Sequence, residues 1–394
     1  MQPADSLRSI SMFTLRFTAF LALLLAGSNF RVARADEDPV YDGKKAEAWV
    51  DILQNDTSAR KRALAATAIG ELRNKHRLKD LHKDLGRSLR IDSSAAVRVQ
   101  CATVIAGLKP EDVREIQSEL VEALKVEKES RVRKELAVLM GRYPDIARRS
   151  VPGLVTVLKD ADAAARAAAA DAIAKVGADA KEAAVGLLPL VDDADKSVRQ
   201  ATIFALGRIE PENSSFVAAA LIKRFGEEKE IELRRDIIVS LKLLGDKSDS
   251  TIAALAAWLT DADDDVKSAA AGCLGSFGPA AKPAVEQLLN VATTAKDKGL
   301  RIDALRAFGS ALGPGLKERL KDVIRIMESD TEFEVRIAAV EEIGSLGMEL
   351  KDDKDTIAAL RKRQSDQQVK VREAATLAIR RIEKKPEKPV EKKP

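Results

Sequence analysis

Few side chains in this 394-residue chain have types and spacings that could do chemistry. Its two histidines, His76 and His82, stand six positions apart. That spacing does not put two imidazoles on one helical face, and no cysteine lies near, so they make no zinc pair. They read as surface histidines. The two cysteines that follow, Cys101 and Cys273, are too few for a disulfide framework even in an oxidising compartment. Asp261, Asp263 and Asp265 begin like a calcium loop. Such a loop needs Gly and Glu where Val266 and Gly272 stand. There is no Gly-rich phosphate loop, no G-x-S-x-G elbow and no Cys/His metal spacing. These residues point to no catalytic group, no metal and no cofactor.

Composition and charge narrow the function classes further. Aromatic residues make up only 4% of the chain and charged residues 32%. That balance suits thin helical layers packed by Ala and Leu better than one deep core. The N-terminus reads as a secretory signal over residues 1–35. Arg8 and Arg16 precede the apolar run Phe17 to Ala26, and Ala33-Arg34-Ala35 offers a cleavage site. The run is too short to span a bilayer as a helix. Ser28 stands where a lipobox would need cysteine. Without residues 1–35 the chain has 62 basic and 61 acidic side chains, so the net charge of +4 falls to +1. A general electrostatic case for nucleic acid or an anionic membrane disappears with it. At the other end, residues 383–394 form a Lys/Glu/Pro tail that is expected to be disordered.

The elements that must position any site repeat about every 34 residues. Ten basic anchors recur: Arg62, Arg98, Arg133, Arg166, Arg199, Arg234, Lys267, Arg301, Arg336 and Arg372. Seven residues after each anchor the side chain is apolar in all ten copies, from Ile69 to Ile379. Together with apolar positions three, four and ten after the anchor, this makes one face of a helix. An upstream stripe, nine and twelve residues before the anchor, marks a first helix and places Trp258 in its core. Pro110, Pro144, Pro211, Pro279 and Pro314 punctuate the connections between repeats, where a helix must end. One such pair buries too little to stand alone, so neighbouring pairs must stack into an array. Small residues eight after the anchor, such as Gly70, Gly207 and Gly275, allow close approach of the helices. Cys101 and Cys273 fall five layers apart. That is much too far for a bridge.

An acid stands six before nine of the ten anchors, with Ala295 the exception. Four before stands an oxygen-bearing residue that can N-cap the second helix. The anchor cation can bridge to the acid six back, in its own repeat or the next. At these residues, Asp193 through Arg199 running into Gln200–Ile209, the chain resembles HEAT repeats, and the resemblance extends from about residue 41 to 382. It is also similar to the HEAT-like repeats of phycobilisome lyases. Tyr41-Asp42-Gly43 ahead of Trp49 resembles the opening of exported bacterial HEAT proteins. Lys61, Lys267 and Ala295 depart from the family pattern. The resemblance implies an all-α, right-handed α-α superhelix of about ten two-helix repeats, spanning residues 36–382. The paired His-Glu motifs of HEAT-like iron hydroxylases are missing, since neither histidine precedes a glutamate.

The resemblance further implies that the second helices line the concave face. The residues at one, five, eight, nine and twelve after the anchor form their outward arc. On that arc Phe204, Val239 and Leu243 make an apolar strip on adjacent repeats, with Arg208 on its rim. The expected function is a non-enzymatic scaffold, exported to the periplasm or secreted, that binds another protein as a monomer. An accessory or lyase-type subunit similar to the HEAT-like phycobilin lyases is the alternative. A HEAT-like nucleic-acid enzyme is disfavoured by charge and by the scarcity of aromatic rings.

Overall fold

The computed structural model describes residues 38–76, 78 and 80–383; the expected signal at 1–35 and the tail from residue 384 lie outside them. Each anchor sits in the first turns of a second helix. These helices are Ala59–His76, Ala95–Ile105, Ser130–Arg142, Ala163–Val176, Lys196–Arg208, Ile231–Leu244, Asp264–Phe277, Lys298–Leu312, Phe333–Ser345 and Val369–Glu383. First helices precede them, for example Ala46–Asn55, Ser214–Glu227, Asp249–Trp258 and Val285–Thr294. The result is an all-α superhelix of ten helical pairs.

The prolines act where the sequence places them. Pro110 and Pro144 begin helices, where a missing N–H costs nothing. Gly278 and Gly313 end second helices with φ of 59° and 52°, the left-handed half that glycine alone enters without strain. In repeat 5 the first helix is broken into the short turns Gly177–Ala183, Ala184–Leu187 and Leu188–Asp192. Pro189 lies in the last of these and donates no backbone hydrogen bond. A hairpin of two-residue strands, Val40–Tyr41 with Lys44–Lys45, precedes the first repeat, turning at Asp42-Gly43, both with positive φ, a dipeptide that favours this turn. Trp49 Nε1 donates to the Tyr41 carbonyl at 2.9 Å, so the hairpin covers the open end of the array.

The core is a continuous seam, not a single centre. The residue seven after each anchor is buried in every repeat; Ile69, Ile173, Leu206 and Phe308 are fully enclosed. The small residue eight after the anchor faces the residue six after the next anchor. Gly70 meets Val104, Gly207 meets Ser240, Gly275 meets Ala307 and Gly344 meets Ala378. A methyl group on Gly207 would stand 2.9 Å from the Ser240 backbone, so glycine is what allows that approach. Position eight therefore belongs to the seam, and its place on the outward arc is corrected. A side chain pointing at the neighbouring helix cannot also face solvent.

Two further readings change. His76 is exposed, but His82 is buried, with Nε2 2.9 Å from a Glu115 oxygen. His82 stands sixteen before its anchor. That column is enclosed along the array, with Ala46, Ser150, Ala218, Thr251 and Thr356. Trp258, read as core, is only half-buried and lies flat on Phe225 with ring centroids 3.7 Å apart.

Candidate functional site

Two features could serve function: an ion ladder along one edge of the array and an apolar strip on the second helices. The ladder comes from the turn between helices. The acid six before the anchor folds back to accept a backbone N–H two residues on, as Asp92 does from Ser94 at 2.8 Å and Asp160 from Asp162 at 2.9 Å. The residue four before the anchor sits at the N-cap, where Asp162, Asp195, Asp263 and Asp297 accept hydrogen bonds from the first turn. The glutamates and Ser94 at the same place do not. A glutamate reaches one methylene too far for that geometry.

The anchor arginine then joins two repeats. Arg98 donates to its own Asp92 carbonyl at 2.8 Å and grips the Glu127 carboxylate of the next repeat at 2.7 and 2.8 Å. The same fork joins Arg62 to Asp92, Arg166 to Asp193, Arg199 to Glu228, Arg301 to Asp330 and Arg336 to Asp366. Arg133–Asp160 and Arg234–Asp261 complete eight junctions. So at every one of these anchors but Arg234 a backbone contact is made within the repeat, and at all eight the charge contact runs across to the next. The two-pronged geometry is what guanidinium offers and ammonium does not.

These pairs are largely shielded from water. Burial works against ionised Glu228, but hydrogen bonds from Arg199, the Glu230 amide and Arg224 outweigh it and bring its carboxyl down to about 2. Asp160, Asp193 and Asp366 are lowered in the same way, each against its own desolvation. Asp261 and Asp263, read as a mimic of a calcium loop, are spent on Arg234, on the Asp263 amide and on the Val266 amide. Both cysteines are free and buried. Burial raises both thiols, that of Cys273 to about 12, so neither is a thiolate at neutral pH.

The strip lies on the adjoining second helices Lys196–Arg208 and Ile231–Leu244. Phe204, Val239 and Leu243 are exposed by 42, 48 and 49%. The Arg208 guanidinium carbon sits 5.3 Å from the centre of the Phe204 ring, and its Nε donates to the Ala174 carbonyl at 3.3 Å. The first helices carry features that the sequence reading did not single out. Phe216 is 62% exposed, and an apolar trough of about 670 Å³ runs past Ile252, Ala253, Ala256 and Pro283. Phe216 has a sequence signal, for it falls outside every buried column of its helix.

Ten stacked helical pairs with an arginine–acid edge define an α-solenoid. The HEAT-repeat family model matches residues 117–207, 151–242 and 218–309. The chain is a HEAT-repeat protein. Its fold is similar to the solved structure of Kap121p bound to Nup53p, with a TM-score of 0.52 and 14% identity over 86% of this chain and 40% of that one. It is similar to the Kap95:Nup1 complex, with a TM-score of 0.54 and 15% identity over 86% of this chain and 51% of that one. Importin beta gives a TM-score of 0.52 and 15% identity over 85% of this chain and 50% of that one. The chain thus spans about half the length of these structures or less. No curated protein matches it in sequence.

Proposed function

We propose that this chain is a non-enzymatic scaffold that holds a segment of another protein on its second-helix face. The observation that carries the reading is the strip itself. Three large apolar side chains, Phe204, Val239 and Leu243, stay about half exposed on adjoining helices. Such a patch, rimmed by Arg208, suits an apolar anchor with a polar flank. Two of the structural relatives, Kap121p and Kap95, are solved in complex with another protein. In our reading residues 1–35 are removed as a secretory signal, the solenoid spans residues 36–382, and the mature chain acts as a monomer outside the cytoplasm. Intact-mass measurement of the protein from cells tests the cleavage.

The test of the strip is Phe204→Ala. Because Phe204 is 42% exposed, its truncation should leave the thermal midpoint within a few degrees of wild type. Capture of the partner by the mature chain should fall at least tenfold. A large drop in midpoint with capture intact would return Phe204 to a packing role.

A further inference from the structure

Nine junctions join the ten repeats, and one of them lacks both halves of the ladder. Between repeats 7 and 8, Lys267 stands in place of the arginine and Ala295 in place of the acid. At the other junctions the acid does two jobs. It takes the cation of the previous repeat and the N–H of its own turn, as Asp330 takes Arg301 and the Glu332 amide. At Ala295 both donors lack that acceptor. The corresponding amide, that of Asp297, meets no acceptor among the described residues. The Lys267 ammonium turns back to Asp264 of its own helix at 2.6 Å. One contact to an acid that is 53% exposed leaves an ammonium with three donors unsaturated.

At the intact Arg62–Asp92 junction Asp92 lines a groove of about 380 Å³. Here the corresponding groove, of about 330 Å³, has no carboxylate of the next repeat in its lining. Its polar lining is Thr260, Asp264, Lys267, Asn290, Thr294 and Lys296, with Ala295 at its floor. Lys296 has no carboxylate partner among the described residues. A second cavity of about 540 Å³ also borders Ala295 and carries Arg301 and Arg325. Arg301 is committed to Asp330, which also lines this cavity, whereas Arg325 is 64% exposed and among the described residues pairs only with Asp322, at 3.7 Å. Two cavities meeting at one alanine, with Lys267, Lys296 and Arg325 along them, fit an extended chain carrying more than one negative charge.

We propose that this junction receives an acidic side chain from an extended acidic peptide segment of a partner protein, which completes the missing rung. The eight intact junctions supply the template: a carboxylate held by a basic side chain and by a turn amide. The cavity is larger than a carboxylate, so it admits the side chain together with its backbone. The site lies on the ladder edge and does not depend on the apolar strip, so either can fail without the other.

The probe is a fluorescein-labelled peptide of alternating glutamate and glycine, titrated against the full chain at low salt and read by fluorescence anisotropy. Ala295→Asp places a carboxylate in the seat from within, and Ala161→Asp adds the same charge at an exposed turn four repeats away. Wild type should bind saturably, Ala161→Asp should match it within twofold, and Ala295→Asp should bind at least tenfold more weakly. Circular dichroism confirms that each variant is folded, and completing a rung favours the fold. Absence of saturable binding to wild type overturns the proposal. So does an Ala295→Asp affinity within tenfold of that of Ala161→Asp.

Discussion

The junctions on either side of repeat 7 are built differently. On one side Arg234 pairs with Asp261 and lies 4.4 Å over the Phe225 ring, which in turn stacks on Trp258. On the other side Lys267 and Ala295 face each other, and the nearby first-helix surface carries the apolar trough. Yet between repeats 7 and 8 the seam of second helices stays tight, for Gly275 packs on Ala307, whereas between repeats 6 and 7 Lys242 takes the place of the small residue. Stacking in this array therefore has two separable parts. The seam is present at every junction and apolar at most of them, while the charged edge can be absent without loss of the fold. What the edge adds is a fixed register, because a forked pair tolerates little sliding.

The largest expected effect comes from removing the strong edge. Asp261→Ala leaves Arg234 without its carboxylate in a place where its side chain is 23% exposed. Loss of one partner of a mostly buried pair should cost about 3 kcal/mol in urea denaturation. If the loss is below about 1 kcal/mol, the two junctions do not differ in the way described.

A second test lies one junction further on, between repeats 8 and 9. There Glu342 faces Gly309 in the seam, where other repeats carry a small or apolar residue. Burial raises its carboxyl to about 7, with Glu341 adding to the rise and Arg306 opposing it. A raised carboxyl is neutral in the fold at acidic pH and must ionise inside the seam as pH rises. The destabilisation should appear above the unfolded value of 4.5 and be complete above about 7. Glu342→Gln should therefore stabilise the chain at pH 8, by an amount on the order of 2 kcal/mol. The gain should vanish near pH 4.5, as thermal melts at the two pH values will show. Glu228 has the opposite sign. Its lowered carboxyl supports the fold above about pH 4.5 and loses that support as pH falls toward 2, and Asp160, Asp193 and Asp366 are shifted in the same direction.

The smallest effect sharpens the comparison from the weak side. Ala295→Asp combined with Lys267→Arg should restore the fork and raise stability by about 1 kcal/mol. The same denaturation curves that measure Asp261→Ala detect it. A loss of stability would mean that the cavity at this junction cannot accommodate the pair.

The sequence makes the architecture legible because the repeat states it ten times. A column of ten apolar residues, such as that from Ile69 to Ile379, leaves few alternatives to a helical face. The partners of the anchors were half legible. Charge and spacing showed that Arg98 must meet an acid, but Asp92 and Glu127 were both in reach. Only the stacked geometry assigns the carbonyl to one and the carboxylate to the other. His82 was misread because counting was confined to the columns nine and twelve before the anchor. The column sixteen before is also buried, but it mixes Ala, Val and Leu with Ser150, Thr251 and Thr356, so its apolar pattern is weak. The break in the first helix of repeat 5 was missed although Pro189 stands near its end, because only the prolines between repeats were weighed. The strip at Phe204, Val239 and Leu243 was legible as a pattern, and its half-exposed state needed coordinates.

The flat contact between Trp258 and Phe225 gives the molecule a built-in optical gauge. The chain holds two tryptophans, one in repeat 1 at Trp49 and one at the joint between repeats 6 and 7. Replacing Trp49 with phenylalanine would leave a single indole whose emission depends on its stacked ring and on the guanidinium above that ring. Any opening of that joint, whether by pulling, by heat or by a bound partner, would then register as a shift in colour without a label being attached.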